Sequence, residues 1–184
     1  MKLSDFLSPD RVIANLASTN KQDALREITS FLSNVETDNA LTPKHLFNAI
    51  TDREELGSTG IGDGVAIPHA KIHGLKNLCA CFARSTDGVN FKSIDREPVR
   101  LIFMLLVPEN SAGIHLKALA RISRVLKDPD FREHLRQART GDGLDGCGGL
   151  RCSGDGGPGH LCHPHHRRGL RAADDGSGLL RQDL

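Results

Sequence analysis

Val99-Arg100-Leu101-Ile102-Phe103-Met104-Leu105-Leu106-Val107 decides the fold. A strand with one wet face alternates apolar and polar residues, whereas this run is apolar on both faces and should lie in the centre of a sheet. Working outward, Val12 to Leu16 and Leu78 to Arg84 read as further strands, and Val65-Ala66-Ile67 as a short buried one. Helical spacing appears from about Asn20 to Leu32, with Ala24, Leu25, Ile28, Phe31 and Leu32 on one face. Thr42-Pro43 opens a second helix, with an N-cap threonine and proline at the first helical position, and Leu46, Phe47 and Ile50 turned inward. Helices from about Ile114 to Leu126 and from Pro129 to about Arg139 complete the pattern. Helices interleaved with strands around a fully apolar one predict an α/β fold, the sheet covered by helices on both sides.

The chemistry concentrates in Arg53-Glu54-Glu55-Leu56-Gly57-Ser58-Thr59-Gly60-Ile61-Gly62-Asp63-Gly64-Val65-Ala66-Ile67-Pro68-His69. Gly57, Gly60, Gly62 and Gly64 allow positive φ and close approach to a ligand, and successive loop N–H groups can form an anion-binding nest. Ser58 and Thr59 add hydroxyl donors suited to phosphate oxygens. Pro68 ends the ladder pairing of the strand before it, so His69 is predicted at a strand end beside a loop, where a rigid scaffold presents a reachable group. An imidazole that is neutral in part near pH 7 can attack phosphorus and carry a phosphoryl group.

The segment from Glu54 to Ala70 resembles the phosphorylation-site signature of the fructose/mannitol-type IIA domains of the bacterial phosphoenolpyruvate phosphotransferase system, and its wording is most similar to the nitrogen-regulatory branch. The similarity runs from Leu3 to about Ala138, through Ser18-Thr19-Asn20-Lys21, Ile94-Asp95 and Leu105-Leu106-Val107-Pro108. The resemblance implies a mixed β-sheet between helical layers and makes His69 the phosphoryl acceptor, through Nε2. It also implies a histidine phosphocarrier protein as donor, and regulated targets such as components of potassium transport or sensor kinases. His115, in Ile114-His115-Leu116 in the first turn of a helix, matches a histidine that lies beside the acceptor in the family. Arg53 offers a guanidinium fork for phosphoryl oxygens. Ser58, Thr59 and Gly60 are the expected phosphate-binding loop. Asp63 reads as a loop cap, and Lys71 and His73 as exposed residues within reach of a docked donor, or as ordinary surface.

Composition narrows the classes. With 184 residues the chain can bury one sizeable core, and no apolar run approaches the ~18 residues a membrane span needs. The start, Met1-Lys2-Leu3-Ser4-Asp5, lacks the order of a signal peptide, so a cytoplasmic protein is expected. A formal net charge of +1, with neither Trp nor Tyr, gives no basic or stacking surface for nucleic acid. Cys79 and Cys81 share one face of a strand and read as buried free thiols. No cofactor is expected, and no carboxylate cluster beside His69 suggests a metal.

The two predicted regions are a IIA domain over 1–140 and a tail over 141–184. Twelve of the nineteen glycines and three of the five cysteines fall in the tail, which has no sustained apolar periodicity and is expected to be disordered. The family usually continues with an acidic, leucine-containing last helix, and the departure from it reads as a frameshift near Thr140. Cys147, Cys152 and Cys162-His163-Pro164-His165-His166 contain zinc-ligand types, but their spacing matches no regular zinc module.

Three functions follow: a regulatory phosphocarrier controlling targets through its phosphorylation state, a sugar-specific IIA subunit passing phosphate to a IIB domain, and a binding module that is never phosphorylated. The Gly57-Ser58-Thr59-Gly60 wording and the lack of attached IIB or membrane domains favour the first.

Overall fold

In the computed structural model the described residues are 5, 7–35 and 42–138. The expected tail, and the end of the last helix at Arg139, lie outside them.

The apolar run forms strand β6, Val99–Pro108, the hub of a six-stranded mixed sheet. The other strands are β1 (Val12–Ile13), β2 (Gly60–Gly62), β3 (Val65–Ala66), β4 (His69–Ile72) and β5 (Cys79–Val89). The order is β1-β5-β6-β3-β2, with β4 also paired to β6. β5 runs antiparallel to β6, β3 and β4 run parallel to it, and β1 is parallel to β5.

Among the described residues four α-helices cover the sheet: α1 (Lys21–Val35), α2 (Pro43–Glu55), α3 (Ala112–Leu126) and α4 (Pro129–Gln137). Successive side chains of β6 go to opposite faces. Ile102, Met104 and Leu106 join Leu25, Ile28 and Leu32 of α1 and Leu46 and Ile50 of α2. Leu101, Phe103, Leu105 and Val107 join Ala118, Ile122 and Leu126 of α3 and Leu135 of α4. The two-faced reading of the sequence therefore holds, and each face has its own pair of helices. Helix starts follow their capping residues: Thr42 Oγ1 accepts from the His45 amide at 3.3 Å, and Asp128 caps α4 ahead of Pro129.

Several boundaries differ from expectation. β1 stops at Ile13, and beyond it Ala14 O accepts from the Arg84 side chain while Leu16 N donates to Arg84 O. β5 continues past Arg84 to Val89 with an irregularity in its pairing to β6. The glycine segment is a hairpin rather than an open loop. Asp63 and Gly64, at φ 56° and 73°, supply the two left-handed residues that a two-residue type I′ turn requires between β2 and β3. Gly57 and Gly62 also have positive φ, but Gly60 does not. What Gly60 provides is space, since a Cβ there would lie 2.8 Å from the Cα of Ser93.

Cys79 and Cys81 are thiols buried on one face, and burial, with Cys79 alongside, pushes the Cys81 thiol up to about 12. No helix among the described residues is long and apolar enough to cross a membrane.

Because the atom that Gly60→Ala would meet is backbone, we expect that substitution to destabilise by about 1–3 kcal/mol, read as a lower urea midpoint at unchanged slope.

Candidate active site

β3 and β4 are two pieces of one edge laid against β6 in a common register, Val65 opposite Leu101 and His69 opposite Leu105. Between them come Ile67 and Pro68. Proline has no N–H to give the ladder, but its carbonyl still accepts from Leu105 N at 2.8 Å, so register is kept across the break. His69 thus begins a strand rather than ending one. Its Nδ1 is 2.9 Å from the Ile67 carbonyl, which can only accept, so Nδ1 carries the proton and Nε2 carries the lone pair.

Arg53, in the last turn of α2, donates from Nε to that nitrogen at 3.2 Å and from Nη1 to Gly57 O at 3.2 Å. His115, in the first turn of α3, sets its ring 5.2 Å from that of His69, the planes 52° apart. His115 Nε2 is buried without a hydrogen-bond partner among the described residues. The three side chains meet at a cleft of about 320 Å³, which Asp52, Leu56 and Lys71 also line. Leu56 at the cleft is exposed, and so are Ile114 and Leu116, the chain neighbours of His115.

Burial is the main cause that lowers the pKa of His69 below its ordinary value. Arg53 lowers it further, and the Ile67 hydrogen bond opposes the shift. Burial also lowers His115, assisted by the positive charges of His69, Lys71 and Arg53. Both rings therefore stay neutral to lower pH than a solvated imidazole, the state in which a ring nitrogen can act as a nucleophile.

The structure brings His69, Arg53 and His115 together. The expected phosphate-binding loop, Ser58, Thr59 and Gly60, does not line that cleft, and four of its donors already have protein partners. Thr59 is buried, and both its amide and its hydroxyl donate to Glu54, the latter at 2.6 Å. The Ser58 hydroxyl donates to Phe91 O and accepts from Lys21 Nζ and Gly60 N. Asp63 lies in the hairpin turn, its carboxylate 3.5 Å from Arg132. Lys71 is exposed at the cleft, whereas exposed His73 pairs with Glu109 at 3.0 Å. No three-residue group able to hold a metal occurs among the described residues.

Sequence reasoning overlooked Glu54. The signal was present, since Leu46, Ile50 and Glu54 follow one another at four-residue spacing on the buried face of α2.

A half-buried histidine with one nitrogen tied to the backbone and the other facing a guanidinium and a second imidazole suits a phosphotransfer domain. The family described as phosphoenolpyruvate-dependent sugar phosphotransferase system, EIIA 2, matches residues 5–144, and the chain belongs to it. Members of this family are phosphotransfer components. The chain is 37% identical over 144 residues to the nitrogen regulatory protein of Bradyrhizobium diazoefficiens, covering 78% of this chain and 92% of that protein. It is 33% identical over 144 residues to the nitrogen regulatory protein of Pseudomonas aeruginosa, with the same two coverages. Among solved structures it is similar to nitrogen regulatory protein IIA-Ntr from Neisseria meningitidis, with TM-score 0.70, 33% identity, and 75% and 92% of the two chains covered. IIA mannitol from Escherichia coli, at TM-score 0.60 and 21% identity over 74% and 94% of the chains, shares the fold.

Two pH effects follow from the lowered histidines. An NMR titration of the His69 ring should give a midpoint below about 6.5, moving upward in Arg53→Gln, where a neighbouring positive charge is removed. The unfolded chain binds protons at these two histidines more readily than the folded one. Stability should therefore fall as pH drops below about 6.5, and His69→Gln should flatten that slope in denaturation curves taken across pH.

Proposed function

We propose that the chain is a cytoplasmic regulatory phosphocarrier that accepts a phosphoryl group on His69 from a phosphorylated histidine phosphocarrier protein and controls target proteins by its phosphorylation state. One observation carries the reading: His69 Nδ1 is held on the Ile67 carbonyl, leaving Nε2 as the lone-pair nitrogen in a cleft shared with Arg53 and His115. The 37% identity to the Bradyrhizobium nitrogen regulatory protein and the greater likeness to IIA-Ntr (33%) than to IIA mannitol (21%) support the regulatory branch, while a fructose-specific EIIABC component of Bacillus subtilis, 34% identical over 145 residues, makes a sugar-specific IIA role the alternative.

The step is a displacement at phosphorus. The Nε2 lone pair of His69 attacks, the bond from phosphorus to the donor's ring nitrogen breaks, and that imidazole recovers its lone pair. No proton leaves His69. Its Nδ1–H stays on Ile67 O, and the positive character that develops on the ring is stabilised there. Arg53 occupies Nε2 in the unphosphorylated protein, so transfer requires its fork to turn from nitrogen to the arriving phosphoryl oxygens. His115, with a neutral ring and an Nε2 that has no hydrogen-bond partner among the described residues, is placed to donate to one of those oxygens in the tautomer protonated there. Serine and threonine hydroxyls of the loop have no part in this step.

Docking uses exposed apolar residues, Leu56 at the cleft and Ile114 and Leu116 on either side of His115 in the chain. Components of potassium transport or sensor kinases are the proposed targets, for which two added negative charges at His69 would change the fit.

Incubation with phosphoenolpyruvate, enzyme I and a histidine phosphocarrier protein should add the mass of one phosphoryl group, labile to acid and absent in His69→Ala. His115→Ala should slow its arrival by roughly 10²-fold without abolishing it. A protein that gains no mass while remaining folded would instead be a binding module.

A further inference from the structure

We infer that Lys21, Glu54 and Thr59 form a positioning unit for phosphoryl acceptance: the buried Glu54 carboxylate pins the turn after α2 so that the Gly57 carbonyl holds Arg53 on His69 Nε2. The inference rests on the phosphoacceptor reading above and deepens it.

Glu54 is 8% exposed, and a carboxylate that deep is costly unless its oxygens are met. They are met from two other segments. Lys21 Nζ, at the first residue of α1, donates to Oε1 at 2.8 Å. The Thr59 amide lies 2.9 and 3.1 Å from the two oxygens, and the Thr59 hydroxyl donates to Oε2 at 2.6 Å. Lys21 is itself enclosed, its ammonium 4.9 Å from the centre of the Phe91 ring and 3.2 Å from Ser58 Oγ. A buried ion pair is a poor way to gain stability, because apolar side chains of similar volume do as well or better. What it does fix is one arrangement of the segments it joins.

That arrangement leads directly to the acceptor. Glu54 follows Arg53 on α2, and capture of Thr59 by its carboxylate turns the Leu56–Ser58 segment back over the helix end. Gly57, at φ 152°, makes the bend, and its amide closes on Glu54 O at 3.2 Å. Its carbonyl is thereby brought to Arg53 Nη1 at 3.2 Å, while Nε of the same guanidinium meets His69 Nε2 at 3.2 Å. The guanidinium is planar, so fixing one nitrogen on Gly57 aims the other. Thr59 and Ser58 thus act one step removed from the phosphoryl group, which accounts for a loop with phosphate-binding residue types whose hydroxyls are engaged within the protein.

The test compares wild type with Glu54→Gln, Thr59→Val, Thr59→Ser and Arg53→Gln, and with the Glu54→Gln/Arg53→Gln double variant. Three measurements are made on each: the thermal melt, the Arg53 Nε–H NMR signal in the unphosphorylated protein, and the rate of acceptance from a phosphorylated histidine phosphocarrier protein. Glu54→Gln and Thr59→Val should accept at least about tenfold more slowly and lose the hydrogen-bonded Arg53 signal, while Thr59→Ser, which keeps the hydroxyl, should restore both. The double variant should be no slower than Arg53→Gln alone, because Glu54 acts only through Arg53. A further slowing in the double variant, or an unchanged Arg53 signal in Thr59→Val, overturns the inference. Should Glu54→Gln fail to fold, the Thr59 pair decides. If wild type accepts no phosphoryl group, the phosphoacceptor reading fails by itself and the Arg53 signal still decides whether the unit positions Arg53.

Discussion

Burial of β6 on both faces is the constraint on which the rest depends. A strand with no wet face must satisfy every backbone N–H and C=O inside the sheet, so it needs partners along both edges. β5 supplies one edge. The other comes from β3 and β4, interrupted at Ile67–Pro68. The interruption leaves the Ile67 carbonyl for a side chain, and that side chain is His69. The site is therefore a consequence of how a two-faced strand is paired, and its rigidity is borrowed from the core. α2 and α3 then pack on opposite faces of the same strand, which lets their ends carry Arg53 and His115 to one spot.

Much of this was legible in the residues. The apolar run of β6 gave the two-layer cover, Thr42-Pro43 and Pro129 gave helix starts, and Pro68-His69 marked the presented imidazole. Other features were hidden for physical reasons. A glycine needed for left-handed backbone and one needed for space look alike in a sequence, so Gly60 was grouped with Gly57, Gly62 and Gly64. Strands of two or three residues are too short to show alternation, and the Asp63-Gly64 turn signal between β2 and β3 passed as loop. Ser58 and Thr59 have the hydroxyls a phosphate site uses, but the direction in which a hydroxyl points is set by tertiary partners, here Phe91 O and Glu54. Glu54 itself was readable as the next member of the Leu46, Ile50 stripe, a polar residue at an apolar position.

The two ring nitrogens of His69 are controlled by different kinds of element. Nδ1 is held by backbone two residues away, so its proton is assigned by the covalent neighbourhood and by the sheet. Nε2 is held by a side chain from a helix, which can rotate away. A fixed tautomer beside a movable donor is what an acceptor requires, since the nucleophile must be predetermined and its environment must change when charge arrives.

The Arg53 contact carries one more consequence. In the resting protein the Nε2 lone pair of His69 is capped by a cation. An uncharged electrophile offers the guanidinium nothing in exchange and meets a blocked nitrogen. An anionic one draws the fork onto itself and uncovers the nucleophile in the same movement. The arginine thereby makes the reactivity of His69 conditional on the charge of what approaches it, a form of chemical selectivity that needs neither a lid nor a deep pocket.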